Sequence, residues 1–134
     1  MDKKTAIKSF NKVLTTFIKQ LVAITNDSEV KRSQRVLKVF LKSDKSFPIK
    51  SFIRNMYPHK SHIVSHNEDF FLNLNVEQNS LTDVFKLKKV WPNLSEENKD
   101  VIFKYLEEMI YYIEQVDGLV DIISVSHNDL QESS

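Results

Sequence analysis

Gly118 is the only glycine in the chain, and its isolation narrows the fold more than any motif does. Tight hairpin turns need residues that accept positive φ, and glycine is the residue that does so without steric cost. With one glycine and three prolines, few such turns are available, so the periodicity predicts an almost wholly helical chain. The same scarcity excludes the glycine-rich phosphate-cradling loops of the Walker and Rossmann types. The absence of cysteine excludes disulfides and thiol chemistry, and fits a reducing compartment. At 134 residues a single domain buries roughly two-thirds of its unfolded surface, so neither staple nor metal is required for folding.

Apolar residues at helical spacing set out the elements. Ala6, Ile7, Phe10, Val13, Leu14, Phe17, Ile18 and Leu21 predict a first helix over 3–25, with Lys4, Lys8, Lys12 and Lys19 opposite. Asn26-Asp27-Ser28 breaks it and offers a cap for a second helix over 29–42. The core face of that helix is Val30, Leu37, Phe40 and Leu41, with Val36 at the margin. A third helix follows Ser46-Phe47-Pro48 and ends by Tyr57, since Pro58 disfavours helical geometry before it. Residues 72–79 read as a surface loop. Ser80 or Thr82 then starts a fourth helix carrying Leu81, Val84, Phe85 and Leu87 among Lys86, Lys88 and Lys89, stopped at Val90-Trp91-Pro92. Ser95-Glu96-Glu97 caps the clearest helix, whose core face is Val101, Ile102, Tyr105, Leu106, Met109, Ile110, Ile113 and Val116. Gly118 closes it, the apolar stretch 119–125 docks on the domain, and 126–134 is expected to be a disordered polar tail. The expectation is an all-α single domain over 1–125, a compact irregular bundle of five to six short helices around Phe10, Phe17, Leu37, Phe40, Phe52, Phe71, Trp91, Tyr105 and Met109.

The net charge of +1 conceals a division. Residues 1–60 hold fourteen Lys/Arg against four acids, and residues 61–134 hold five Lys against fourteen acids. Within the basic half, Lys31, Arg35, Lys38, Lys42 and Lys45 form a stripe opposite the core face of the second helix. Such a stripe is an ordinary solvated face, or a surface for an acidic partner or a phosphate backbone.

Catalytic signatures are sparse. His59, His62 and His66 stand at i, i+3 and i+7, a spacing that turns three imidazoles one way on a helix, with Glu68 or Asp69 to complete a zinc shell. Pro58, the serines and Asn67 interrupt such a helix, and no HExxH is present. The expectation is therefore ordinary surface or partly buried histidines, with no metal and no cofactor. Glu68 and Asp69, adjacent and so about 100° apart on a helix, are expected to cap a short helix rather than form a catalytic pair. Neither a nucleophile elbow nor a triad is apparent, and an enzyme is not expected. No segment approaches the length of a membrane span.

The segments FNKVLTTFIKQL, SFPIKSF, IVSHNEDFFL and LKKVWPNLSEENKDVIFKYLEEM, in this order, resemble an uncharacterised family of small helical proteins of nucleocytoplasmic large DNA viruses, the algal and amoebal giant viruses. The resemblance rests on Ile63, Glu68, Asp69, Phe70, Phe71, Trp91, Ser95, Lys99, Phe103, Tyr105 and Leu106, and spans residues 6–116. It implies a helical fold, with Phe70 and Phe71 as structural anchors, and a viral setting in the host cytoplasm (virus factory) or the virion. It implies no activity. The function expected is a non-enzymatic interaction protein, a minor virion component or virus-factory adaptor, using its charged faces and residues 119–125. Its partner is a viral or host protein, or a second copy in a homo-oligomer. The alternative is a small nucleic-acid-binding accessory protein using residues 31–60.

Overall fold

The computed structural model describes residues 1–73 and 86–115, and every regular element among them is helical. Helix α1 (Lys3–Thr25) begins where Asp2 accepts the Thr5 amide at 2.7 Å and ends at Asn26, whose left-handed φ of 48° terminates the turn. Asparagine tolerates that geometry better than most residues. Asp27 then caps α2 (Ser28–Ser43), its Oδ1 accepting from the Glu29 and Val30 amides. Before α3 (Phe47–Asn55) the organising group is Asp44, to which both the amide and the hydroxyl of Ser46 donate, at 2.9 and 2.7 Å. A 3₁₀ turn (Tyr57–His59) carries Pro58 and leads into α4 (Lys60–Val64) and α5 (Glu68–Leu72). After residue 85 come α6 (Leu87–Val90), a second 3₁₀ turn (Trp91–Asn93) and α7 (Glu96–Gln115).

α1 is the central helix. Its closest neighbours are α7 and α2, and α3 rests against both α1 and α2. α1 and α7 run antiparallel: Ile24 and Thr25 share a cleft with Asn93 and Leu94, the Phe17 ring lies 5.4 Å from that of Tyr105, and Ser9 shares a cleft with Tyr112. The short elements close the other side. Trp91, wholly buried, stacks on Phe71 at 4.2 Å and 17°, and Phe103 meets both rings edge-on at 5.4 Å. These three rings come from α5, the second 3₁₀ turn and α7. Offset and edge-on geometries suit the ring quadrupoles and add to the area such side chains bury.

The all-α architecture is as expected, whereas its division differs. Seven α-helices and two 3₁₀ turns occupy the described residues, because the stretch from Tyr57 to Leu72 folds into a 3₁₀ turn and two short helices. The predicted fourth helix does not run through Lys86, whose left-handed φ of 56° starts α6 at Leu87. Its upstream residues, including Leu81, Val84 and Phe85, lie outside the described residues, as do Val116, Gly118, the stretch 119–125, the tail 126–134 and the domain's end at 125. Of the expected core, Phe40 and Tyr105 sit only half-buried at its margin. Phe40 packs on Phe47 at 4.6 Å.

Phe71 is fully buried and Phe70 only partly so. Phe71→Ala is therefore expected to cost about 3–5 kcal/mol and Phe70→Ala distinctly less. Urea midpoints for the two variants check this, and equal losses would place the rings wrongly.

Candidate partner-binding face

At about 100° per residue, Lys31, Arg35, Lys38 and Lys42 fall within one narrow sector of α2. Val30, Ser33 and Leu37 are buried on the far side. All four cations are exposed, as is Lys45 just beyond the helix, and none of the five has an ion pair among the described residues. The stripe from Lys31 to Lys42 is about 16 Å long at the α-helical rise. Val39, 60% exposed, flanks it on one side.

At its Lys45 end the stripe meets a groove of about 870 Å³ between the start of α1 and the end of α2. Ile7 and Leu41, both half-buried, give it apolar walls, and Lys3, Lys4, Lys8 and Lys45 supply cations. Asp44 is the acid among the lining residues, and its carboxylate is engaged by Ser46, whose hydrogen bonds hold it below the usual aspartate range. Asn11 donates to the Lys45 carbonyl at 2.9 Å, while its buried Oδ1 has no hydrogen-bond partner. The groove thus combines apolar contact area, positive charge and an unused acceptor.

Three other lysines are committed to internal contacts. Lys89 bridges Asp27 at 3.2 Å and Glu29 at 2.7 Å, joining α6 to the start of α2. Lys60 and the Tyr57 hydroxyl, at 2.5 and 2.8 Å, both reach Glu114 near the end of α7. Lys99, only 8% exposed, holds Glu68 of α5 and, at 3.3 Å, Glu96, with its ammonium 5.9 Å from the centre of the Trp91 ring. Lys99 is the principal cause that lowers the Glu68 carboxyl below its usual range. The buried indole N–H forms no hydrogen bond within normal limits, yet lies near enough to Glu68 to lower it further.

The histidines are not gathered into a metal site. His66 takes a left-handed φ of 54° and separates α4 from α5, so the three imidazoles do not share one helix. His59 and His62 lie against Phe70, at 4.8 and 5.5 Å between ring centres. His66 stacks on Phe103 and sets Nε2 2.6 Å from Glu107 and Nδ1 3.7 Å from Asp100. Among the described residues no three His, Asp or Glu side chains form a group able to hold a metal. Asn67, rather than Glu68 or Asp69, caps α5 by accepting the Asp69 amide. Glu107 and Glu114 each reach back to the segment 57–66.

The periodicity reveals the stripe, but not the groove, which exists only where α1 and α2 meet. No described helix is long and apolar enough to cross a membrane. No family model, curated protein or solved structure matches the chain.

The charge contacts give stability a defined pH dependence. Glu68 titrates lower in the folded protein than in the unfolded chain, so its contribution is present above the unfolded value and is lost as pH falls through the folded one. Lys99 is raised, so its contribution holds through neutrality and disappears only above the usual lysine range. Glu68→Gln should therefore be less stable than wild type at neutral pH, and the two urea midpoints should converge below about pH 4. A gap that persists in acid would show that the Lys99–Glu68 pair is not its source.

Proposed function

We propose that this is a non-enzymatic interaction protein that binds an acidic partner protein on the face made by Lys31, Arg35, Lys38, Lys42 and Lys45. The observation that carries the proposal is the continuity of five exposed cations, without an ion pair among the described residues, with an apolar-walled groove. Such a surface rewards a partner that brings carboxylates and apolar side chains together, because charge steers the encounter while apolar burial supplies affinity. A phosphate backbone would use the cations but gain nothing from Ile7, Leu41 or exposed Val39. In the setting that the resemblance to giant-virus proteins implies, the role is that of a minor virion component or an adaptor in the virus factory.

Nucleic-acid binding is the second reading, favoured by the straight run of cations along α2. It is less well served by the side chains there. The stripe offers no aromatic platform on which bases could stack, since Phe40 is turned to Phe47.

The two readings separate by salt and by substitution. A duplex held by this stripe would release counterions, and its affinity would fall steeply with salt. Fluorescence anisotropy with labelled duplex and single strand is expected to show only weak, nonspecific binding at physiological ionic strength. Proteins captured from nuclease-treated extracts of infected cells should be lost with Lys31→Glu/Arg35→Glu/Lys38→Glu and retained with Lys104→Glu. Submicromolar duplex binding at physiological salt, abolished by the triple change while circular dichroism is unaltered, would overturn the proposal in favour of the nucleic-acid reading.

A further inference from the structure

The cations of the α2 face recur at a spacing that selects the shape of what they meet. Lys31, Arg35, Lys38 and Lys42 are separated by four, three and four residues, and α2 is one continuous helix through all of them. At the α-helical rise they stand about 4.5–6 Å apart along the axis, and the row covers about 16 Å. A second helix with acids at the same four-three-four spacing matches that row over three turns. It does so in either direction, because the spacing reads the same from both ends. In an extended segment, side chains on one side recur about every 6.5–7 Å. Four of them span about 20 Å, so an extended row overruns the cations.

The apolar side chains beside the row make the same selection. About 100° of turn per residue places exposed Val39 along one side of the cations and half-buried Leu41 along the other. Leu41 faces the groove that it shares with Ile7. Cationic and apolar rows thus lie side by side. A strand turns successive side chains to opposite faces, so it offers this surface a single row in which acids and apolar residues must alternate. A helix offers neighbouring rows at once, acids in the middle and aliphatic side chains at the flanks. Laid at the shallow crossing of about 20° common in helix pairs, it keeps those rows in contact for several turns.

We infer that the docking element of the partner is an acidic amphipathic α-helix of another protein, lying lengthwise along α2. Its carboxylates at i, i+4, i+7 and i+11 face Lys31, Arg35, Lys38 and Lys42. Its aliphatic side chains meet Val39 on one flank and Leu41 and Ile7 on the other. The inference rests on the partner-binding role proposed above for this face, and adds the shape of the ligand.

Three capped peptides containing the same numbers of Glu, Leu and Ile test that shape. The first is held helical by lactam bridges on its far face and carries Glu at i, i+4, i+7 and i+11 between rows of Leu and Ile. The second is equally helical with its Glu residues dispersed around the axis, and the third is unbridged, with acids and aliphatics alternating. By calorimetry at physiological ionic strength, the first should bind at least tenfold more tightly than either control. Its amide shifts in ¹⁵N-labelled protein should concentrate on residues 31–45. Lys31→Glu/Arg35→Glu/Lys38→Glu should abolish the binding. Val39→Ser, at an exposed position and without change of charge, should weaken the first peptide several-fold and leave the alternating one unchanged. Equal affinities for the three peptides, or no binding by the first, would refute the inference. Tighter binding by the alternating peptide or by labelled duplex would also refute it, by assigning the face to an extended segment or to nucleic acid. So would shifts on 31–45 that grow with protein concentration in the absence of peptide, since the occupant would then be a second copy. The capture measurement fails independently. Capture lost with the triple change but no preference for the first peptide would leave an acidic partner of another shape, whereas capture indifferent to the triple change would remove the partner reading itself.

Discussion

The stacking of Phe71 on Trp91, closed by Phe103, is the contact on which the short half of the structure depends. α4, α5 and α6 span four or five residues each, far below the length at which an isolated helix is stable in water. Their backbone hydrogen bonds can persist only because the side chains have a fixed surface to settle on. Phe71 supplies that surface from α5, Trp91 from the turn after α6, and Phe103 from α7. Lys99 adds a constraint of a different kind, since its stem is buried and its ammonium must keep the carboxylate of Glu68. Removing Glu68 would leave the largely buried Lys99 with the exposed Glu96 as its remaining carboxylate among the described residues.

Charge is distributed with a corresponding division of labour. Three lysines are spent on joining elements: Lys89 to the α2 cap, Lys99 to α5, and Lys60 of α4 to the end of α7. Lys31, Arg35, Lys38 and Lys42 along α2 join nothing among the described residues. A surface cation with no internal role still keeps a protein soluble, so a solvated stripe alone would mean little. What distinguishes this one is the adjoining groove, where apolar side chains stand among the lysines.

The long elements were legible and the short ones were not, for reasons that lie in the residues. α1, α2 and α7 carry several turns of amphipathic spacing and end at residues suited to stopping or capping a helix: Asn26, Asp27 and Ser95 act as their types predict. Between Tyr57 and Leu72 no turn is long enough to establish a period. The direction of the chain there is set by left-handed His66 and by Phe71 reaching a tryptophan twenty residues onward. Lys99 was obscured because lysine is usually exposed, and only Glu68 and Trp91, brought in from elsewhere, make its burial tolerable. The candidate face divides the same way: the five cations could be read from α2 alone, whereas the groove needed the approach of α1.

The antiparallel pairing of α1 with α7 has a consequence for how the chain reaches this state. The two helices stand near opposite ends of the described chain, so most of the sequence must be looped out when they first meet. Closing so long a loop costs conformational entropy before any short helix between them can contribute. α4 docks on α7, and the Phe71 and Trp91 rings need Phe103 of that helix. The intervening turns are therefore conditional on the long-range pair, and the folding nucleus should be non-local even though nearly every hydrogen bond in the finished structure is local.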